Sequence, residues 1–249
     1  MQLFFGRGLW VSFALLLMAT SNLRAERAEV ATFVYPPLTL EDGSGYSTKL
    51  VQRIFAEQKI EVNVSYVPVM RAMDMAVQGQ AFFLGGPNTR TTGPLMNFIP
   101  IFELQSTLLY DSRRFFFSPY QLPKTILQGR SIGLLQGYED NPLVQEFDMR
   151  VEKAANMTGA LRMLQASRFD FLPCIKTIEC PLTIDMARKN GMTLLEMPVA
   201  VGPKLTIGLI YRMDNPSLAS QAEAFRSGLA ILKRRPPANQ KVRDVPWAQ

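Results

Sequence analysis

Hydrophobic and polar positions along the chain follow two rhythms, one of period two and one of helical period. Val30 to Tyr35 (VATFVY) is a β-branched and aromatic run halted by Pro36-Pro37, which predicts a strand. After the turn cluster Asp42-Gly43-Ser44-Gly45, apolar Tyr46, Leu50, Val51, Ile54 and Phe55 recur at helical spacing, with Lys49, Gln52, Arg53 and Glu57 between them. Glu61 to Tyr66 alternates strictly, as a strand does. Residues 69–77 are helical again with Gly79 past their end, and 81–84 form a short apolar strand. Strand, helix, strand, helix, strand joined by short links is the order of a mostly parallel sheet covered by helices.

The same grammar continues to the end of the chain. Residues 105–111, 131–135, 169–172 and 192–196 read as strands, and 141–147, 158–166 and 182–189 as helices, the last ended by Gly191. Leu205 to Tyr211 is a nearly continuous apolar strand. Asn215-Pro216-Ser217 then opens a helix whose buried stripe is Leu218, Ala222, Phe225, Leu229 and Leu232. An internal echo runs through this pattern: Ala72-Met73 through Phe83-Leu84 lies on Ala160-Leu161 through Phe171-Leu172 without a gap. Both copies read helix, turn, short strand, which predicts two lobes built from one α/β unit.

Composition narrows the chemistry. At 249 residues and 47% apolar, the chain is long enough for one large domain or two modest ones, and 19% charge with 10% aromatics excludes overall disorder. There is no His, which removes Ser–His–Asp and Cys–His nucleophiles and every His-ligated metal or haem. No cofactor or metal is therefore expected. Met70, Met73 and Met75 lie close together, but Met70, Met73 and Val77 fall at helical spacing and read as core packing.

The first residues look like an export signal. A single positive charge at Arg7 precedes the apolar run Leu9 to Met18, and small residues follow through Ala25. That run is too short to span a bilayer of roughly 30 Å. Removing residues 1–25 takes away Arg7 and Arg24 and lowers the net charge from +6 to +4. The remaining basic residues are scattered, so neither nucleic acid nor membrane insertion of the mature chain is expected. In an oxidising compartment Cys174 and Cys180 are expected to form a disulfide, although the spacing also permits two free thiols.

The ordered series of segments resembles the periplasmic solute-binding proteins of the amino-acid-type family 3. Tyr35-Pro36-Pro37 with Gly45-Tyr46 through Leu50 is similar to the family's opening strand and first helix. Val67-Pro68 to Gly79, followed by Ala81 to Leu84, resembles its next helix and strand. Gly86-Pro87-Asn88-Thr89-Arg90 stands where the family has a glycine, a Thr or Ser, and a ligand-binding Arg. Asn97 to Phe102 echoes the aromatic segment that leads to the hinge. Leu127 to Leu134 with Gln136-Gly137 resembles the first strand and binding turn of the second lobe, and Arg168-Phe169-Asp170 the approach to that lobe's ligand loop.

The resemblance implies a two-lobed type II periplasmic-binding-protein-like fold, α/β with mostly parallel sheets, two hinge crossings and an interlobe cleft. The implied organisation is a signal peptide at 1–25, lobe 1 at 26–110, lobe 2 at 111–203, and a return to lobe 1 with a C-terminal helix at 204–249. The implied function is non-enzymatic periplasmic binding of a small polar solute by cleft closure, with delivery to a membrane permease or a sensor protein, by a monomer. A carboxylate-based lyase or dehydratase on the same scaffold and a stand-alone sensory protein are the alternatives. The implied ligand contacts are Tyr35, Gly86, Asn88, Thr89, Arg90, Gln136 and Tyr138, with Arg90 gripping a ligand carboxylate. One departure bears on the ligand. Family members that bind amino acids carry an Asp shortly after the Arg168-Phe169-Asp170 stretch, whereas here no acid occurs before Glu179. A carboxylate or another anion without an ammonium group fits these residues better.

Overall fold

The computed structural model describes residues 26–176, 179–198, 201–202 and 204–234. The expected export signal lies outside them. In chain order the first half holds β1 (Arg27–Thr32), α1 (Tyr46–Ala56), β2 (Glu61–Tyr66), α2 (Val69–Val77), β3 (Phe82–Gly85) and β4 (Met96–Asp111). The second half holds α3 (Pro123–Leu127), β5 (Ser131–Leu135), α4 (Pro142–Glu146), β6 (Arg150–Ala154), α5 (Met157–Gln165), β7 (Leu172–Ile175), α6 (Glu179–Lys189), β8 (Leu194–Glu196), β9 (Lys204–Arg212) and α7 (Pro216–Arg234).

The sheet is mixed rather than mostly parallel. β1 pairs in parallel with β2 and β3, and β5 with β6, as βαβ crossovers require. β4 and β9, however, run antiparallel to each other, and both run antiparallel to their other neighbours. Strand direction is not legible in the residues, because long two-sided burial makes such strands look alike in either direction. The strand order is β2-β1-β3-β9-β4-β7, with β8 on β4. Along β4 the pairing passes from β9, ending at Gln105 with Lys204, to β7, starting at Ser106 with Ile175. One strand thus belongs to both halves of the molecule.

Packing forms separate cores on either side of that passage. Ile54, Phe55, Phe82 and Phe225 are fully buried between α1, β3 and α7. Leu161, Phe169 and Leu172 with Cys174 and Cys180 form a core in the other half. The internal echo is realised: α2 packs on β1 and β3, and α5 on β5 and β7. Its paired residues Ala72 and Ala160, Phe83 and Phe171, Leu84 and Leu172 are all buried. β6 (RVEKA) and the short α3 have no clear period, and the pattern misses both. β7 begins at Leu172 rather than 169, because Asp170 is drawn into hydrogen bonds with Ser131. Among the described residues no helix is long and apolar enough to cross a membrane.

The contact between α1 and α7 depends on a missing side chain. A Cβ on Gly228 would lie 2.2 Å from the Ile54 carbonyl oxygen, which is backbone and cannot swing away. Gly228→Val should therefore cost about 1–3 kcal/mol through overpacking. At about 2–4 °C per kcal/mol for a chain of this size, thermal unfolding followed by circular dichroism should show a loss of several degrees. An unchanged midpoint would mean that the two helices do not meet at Gly228.

Candidate functional site

The carboxyl ends of β1, β3, β5 and β7 converge on one crevice, where ligands settle in open α/β sheets. It encloses a cavity of about 340 Å³. One side is made by Phe33, Leu84 and the Gly85-Gly86-Pro87 turn, the other by Leu134, Met157 and Leu172, and β9 adds Leu205 and Ile207. Leu84 and Leu172, equivalent in the internal echo, thus face the same space from opposite lobes.

Tyr35 stands on the rim of this cavity. It lies beyond β1, in a tight turn closed by paired backbone hydrogen bonds with Thr39 of 2.9 and 3.0 Å. Its hydroxyl donates to Glu179 Oε2 at 2.6 Å, and the Ile175 amide donates to the same oxygen at 2.9 Å. The Tyr35–Glu179 bond joins the lobes. Glu179 is 2% exposed, and its Oε1 has no hydrogen-bond partner among the described residues. Burial pushes its carboxyl up to about 7, although the bonds from Tyr35 and Ile175 favour the charged form. Burial, followed by the charge and hydrogen bond of Glu179, drives the Tyr35 phenol well above its ordinary value. The pattern passed over Glu179 as merely the first acid beyond the ligand loop. Its place beside Cys180 was the available signal, because the Cys174–Cys180 bridge ties β7 to the start of α6 with a Cα–Cα distance of 5.3 Å. Cys174 lies in β7 and Cys180 in α6, so no single regular element holds the two thiols apart.

The segment Gly86 to Arg90 is placed differently from a simple ligand clamp. Gly86 lines the cavity. Asn88 and Thr89 do not; they reach across to the second lobe instead. Asn88 Nδ2 donates to the Gly137 carbonyl at 2.5 Å, and the Thr89 amide donates to Asp140 Oδ2 at 2.7 Å. Gly137 permits that approach: its φ is +95°, and a Cβ there would meet Met70 Sδ at 2.8 Å. Arg90 lies outside the cavity lining, where both its Nε, at 2.9 Å, and its Nη2 donate to Asp74 Oδ1. The carboxylate expected from a ligand is supplied by the protein's own α2. Both side chains are nearly half exposed, so the pair contributes about 0–1 kcal/mol. Gln136 is exposed and likewise outside the lining. Tyr138 lines the cavity, packs 6.0 Å from the Phe33 ring, and has its phenol pushed up by burial. Ser47, in the first turn of α1, is also among the residues around the cavity; it is 1% exposed and its Oγ has no partner among the described residues.

Glu179 makes stability depend on pH with a definite sign. Its folded value of about 7 lies above its ordinary 4.5, so the folded state holds the proton more tightly. The contribution is complete below about pH 4.5 and is lost as pH rises through about 7. Glu179→Gln keeps an oxygen for Tyr35 and Ile175 but cannot ionise. Urea unfolding at intervals from pH 4.5 to 8 should show a downward slope in the parent that is reduced in this variant. Equal slopes in the two proteins would count against a buried, proton-holding Glu179.

No protein-family model matches the chain, and no curated protein matches it. Solved structures do. Holo ArgBP from T. maritima is 16% identical with a TM-score of 0.64, over 84% of this chain and 92% of that one. The GluR0 ligand-binding core from Nostoc punctiforme in complex with L-glutamate is 16% identical with a TM-score of 0.64, over 83% and 92%. The amino acid ABC transporter substrate-binding protein AbpA from Streptococcus pneumoniae, bound to L-arginine, is 14% identical with a TM-score of 0.63, over 83% and 89%. With the mixed sheets, the strand that passes between halves and the interlobe cavity, these likenesses show that the chain has the two-lobed type II periplasmic-binding-protein fold.

Proposed function

We propose that the protein is a non-enzymatic solute-binding protein of the periplasm, which closes its two lobes on a small molecule and presents it to a membrane permease or a sensor. The observation that carries this reading is the cavity itself: its walls come from both lobes, and hydrogen bonds from Tyr35, Asn88 and Thr89 cross its margins. A solute filling such a space touches both lobes only when they are closed, so it binds that state more tightly and shifts the hinge toward it. The structures it resembles include substrate-binding proteins of amino-acid transporters. In this reading Tyr35, Gly86 and Tyr138 contact the solute, while Asn88 and Thr89 hold the closed state. Lobe boundaries near 110 and 203 complete it, with a signal at 1–25 and a monomeric mature chain.

A metabolite library screened by thermal shift tests this. A solute at a hundredfold excess over its Kd adds about 2.7 kcal/mol, which is roughly 5–10 °C for a chain of this size. The bound compound should be recovered unchanged by mass spectrometry. Chemical conversion of a hit would support the enzyme alternative, and a library without hits would overturn the binding reading.

A further inference from the structure

We infer that the segment from Arg113 to Lys124 is a membrane-contact loop, which seats Phe116, Tyr120 and Leu122 in the headgroup interface of an anionic bilayer. The contact is peripheral: among the described residues no helix is long and apolar enough to cross a membrane.

The topology puts this loop at the end of the second lobe away from the cavity. β4 runs antiparallel to β7, whose carboxyl end faces the crevice, so the chain after Asp111 leaves from the opposite end. It re-enters the lobe at the start of β5, which runs parallel to β7 and begins at that same end. A surface there can be held without obstructing the crevice.

Exposure singles the segment out. Phe116, Tyr120 and Leu122 are 91%, 93% and 70% exposed, whereas the other exposed large apolar side chains lie at 48% or less. Their neighbours hold them in that position. Phe117 is buried, with its ring 4.8 Å from Tyr110, 5.6 Å from Phe115 and 5.8 Å from Phe171. The Gln121 amide donates to the Ser118 carbonyl at 3.1 Å, and the Ser118 amide donates to Gln121 Oε1 at 2.9 Å. Pro119 and Pro123 fix φ on either side of this turn. Little backbone freedom is left to lose on contact.

A bilayer fits this surface better than a folded partner does. Three such side chains offer about 500 Å², below the roughly 800 Å² per partner that a stable protein interface buries. A headgroup interface needs no matching pocket, takes Phe and Leu into its apolar side and leaves the Tyr120 hydroxyl wet. Charge points the same way. Residues 112–138 contain Arg113, Arg114, Lys124 and Arg130 and no acid. The acids that touch the segment are already taken, Asp111 by Arg113 and Asp170 by Arg114. Lys124 is exposed, and Arg113 Nη1 donates to the Gly191 carbonyl at 3.0 Å, which brings the exposed Lys189 to the same end. Glu146 and Asp148 lie at the other end of α3, beside Phe147, whose carbonyl accepts from the Gly129 amide.

Vesicle co-sedimentation of the exported protein, its N-terminus read by intact mass, tests the loop. At low ionic strength, vesicles of phosphatidylglycerol and phosphatidylcholine in equal parts should bind it at least about tenfold more tightly than phosphatidylcholine alone. The triple variant Phe116→Ser, Tyr120→Ser, Leu122→Ser should bind at least about tenfold more weakly than the parent. Its thermal midpoint should be unchanged, because all three side chains are exposed. In Phe116→Trp, the added indole emission should move to shorter wavelength with anionic vesicles, relative to the parent. A parent that binds no vesicles overturns the proposal and leaves the loop to a protein partner. Binding retained by the triple variant, or an unmoved emission in Phe116→Trp, places the contact elsewhere and overturns it as well. Equal binding to both vesicle types overturns the role of the charges. A parent that sediments as a dimer without lipid, beside a monomeric triple variant, assigns the loop to a second copy of the chain instead.

Discussion

The antiparallel pairing of β4 with β9 is the constraint on which the rest of the molecule hangs. It runs from Met96 opposite Arg212 to Gln105 opposite Lys204, with one irregularity between Pro100 and Phe102. Pro100 has no amide to donate, so the break in register falls where the ladder is weakest. Beyond it β4 continues without interruption into pairing with β7 and β8. A strand shared between two sheets fixes where the lobes meet, because its backbone groups must be satisfied on both sides of the passage. The crevice at the ends of β1, β3, β5 and β7 follows from that geometry.

Around this frame Lys204 is the charged residue of the cavity lining, and several arginines outside the lining are paired with the protein's own carboxylates. Arg90 meets Asp74, Arg114 meets Asp170, and Arg113 meets Asp111 at 2.6 Å. Asp170 also accepts from the Ser131 amide and hydroxyl at 3.0 and 2.8 Å, which draws Arg114 into the structure of the second lobe. Glu179 differs from the buried Asp111 and Asp170 in having a tyrosine hydroxyl and a backbone amide as its partners where they have arginines. Its neighbours Tyr35 and Ile175 satisfy one oxygen, and burial outweighs both bonds, leaving the group inclined to hold a proton. A residue that joins the lobes is therefore also one that burial inclines to hold its proton up to about pH 7.

Much of the fold was legible because it depends on local period. The helix at 46–56, the strand at 61–66 and the long C-terminal helix each carry an apolar stripe that only one kind of element can bury. The echo between 72–84 and 160–172 exposed the repeat, since equivalent cores demand small and aromatic residues at equivalent places. The site was legible only in part. Tyr35, Gly86 and Tyr138 reach the cavity, and Cys174 and Cys180 are bridged. Asn88 and Thr89 span the lobes, Arg90 turns to Asp74, and Gln136 faces solvent, because the direction of a loop side chain is set by partners far away in the chain.

The sequence by itself determined which segments bury which faces, that no histidine chemistry is available, and that two similar α/β units alternate with turns. These follow from side-chain volume, period and composition, all of which act within a few residues. Tertiary structure alone decided that β4 and β9 run antiparallel, that Arg90 already has its carboxylate, and that Glu179 accepts the Tyr35 hydroxyl. Each of these depends on which distant groups share a small space. Burial and electrostatic pairing are properties of that shared space, and no local pattern encodes them.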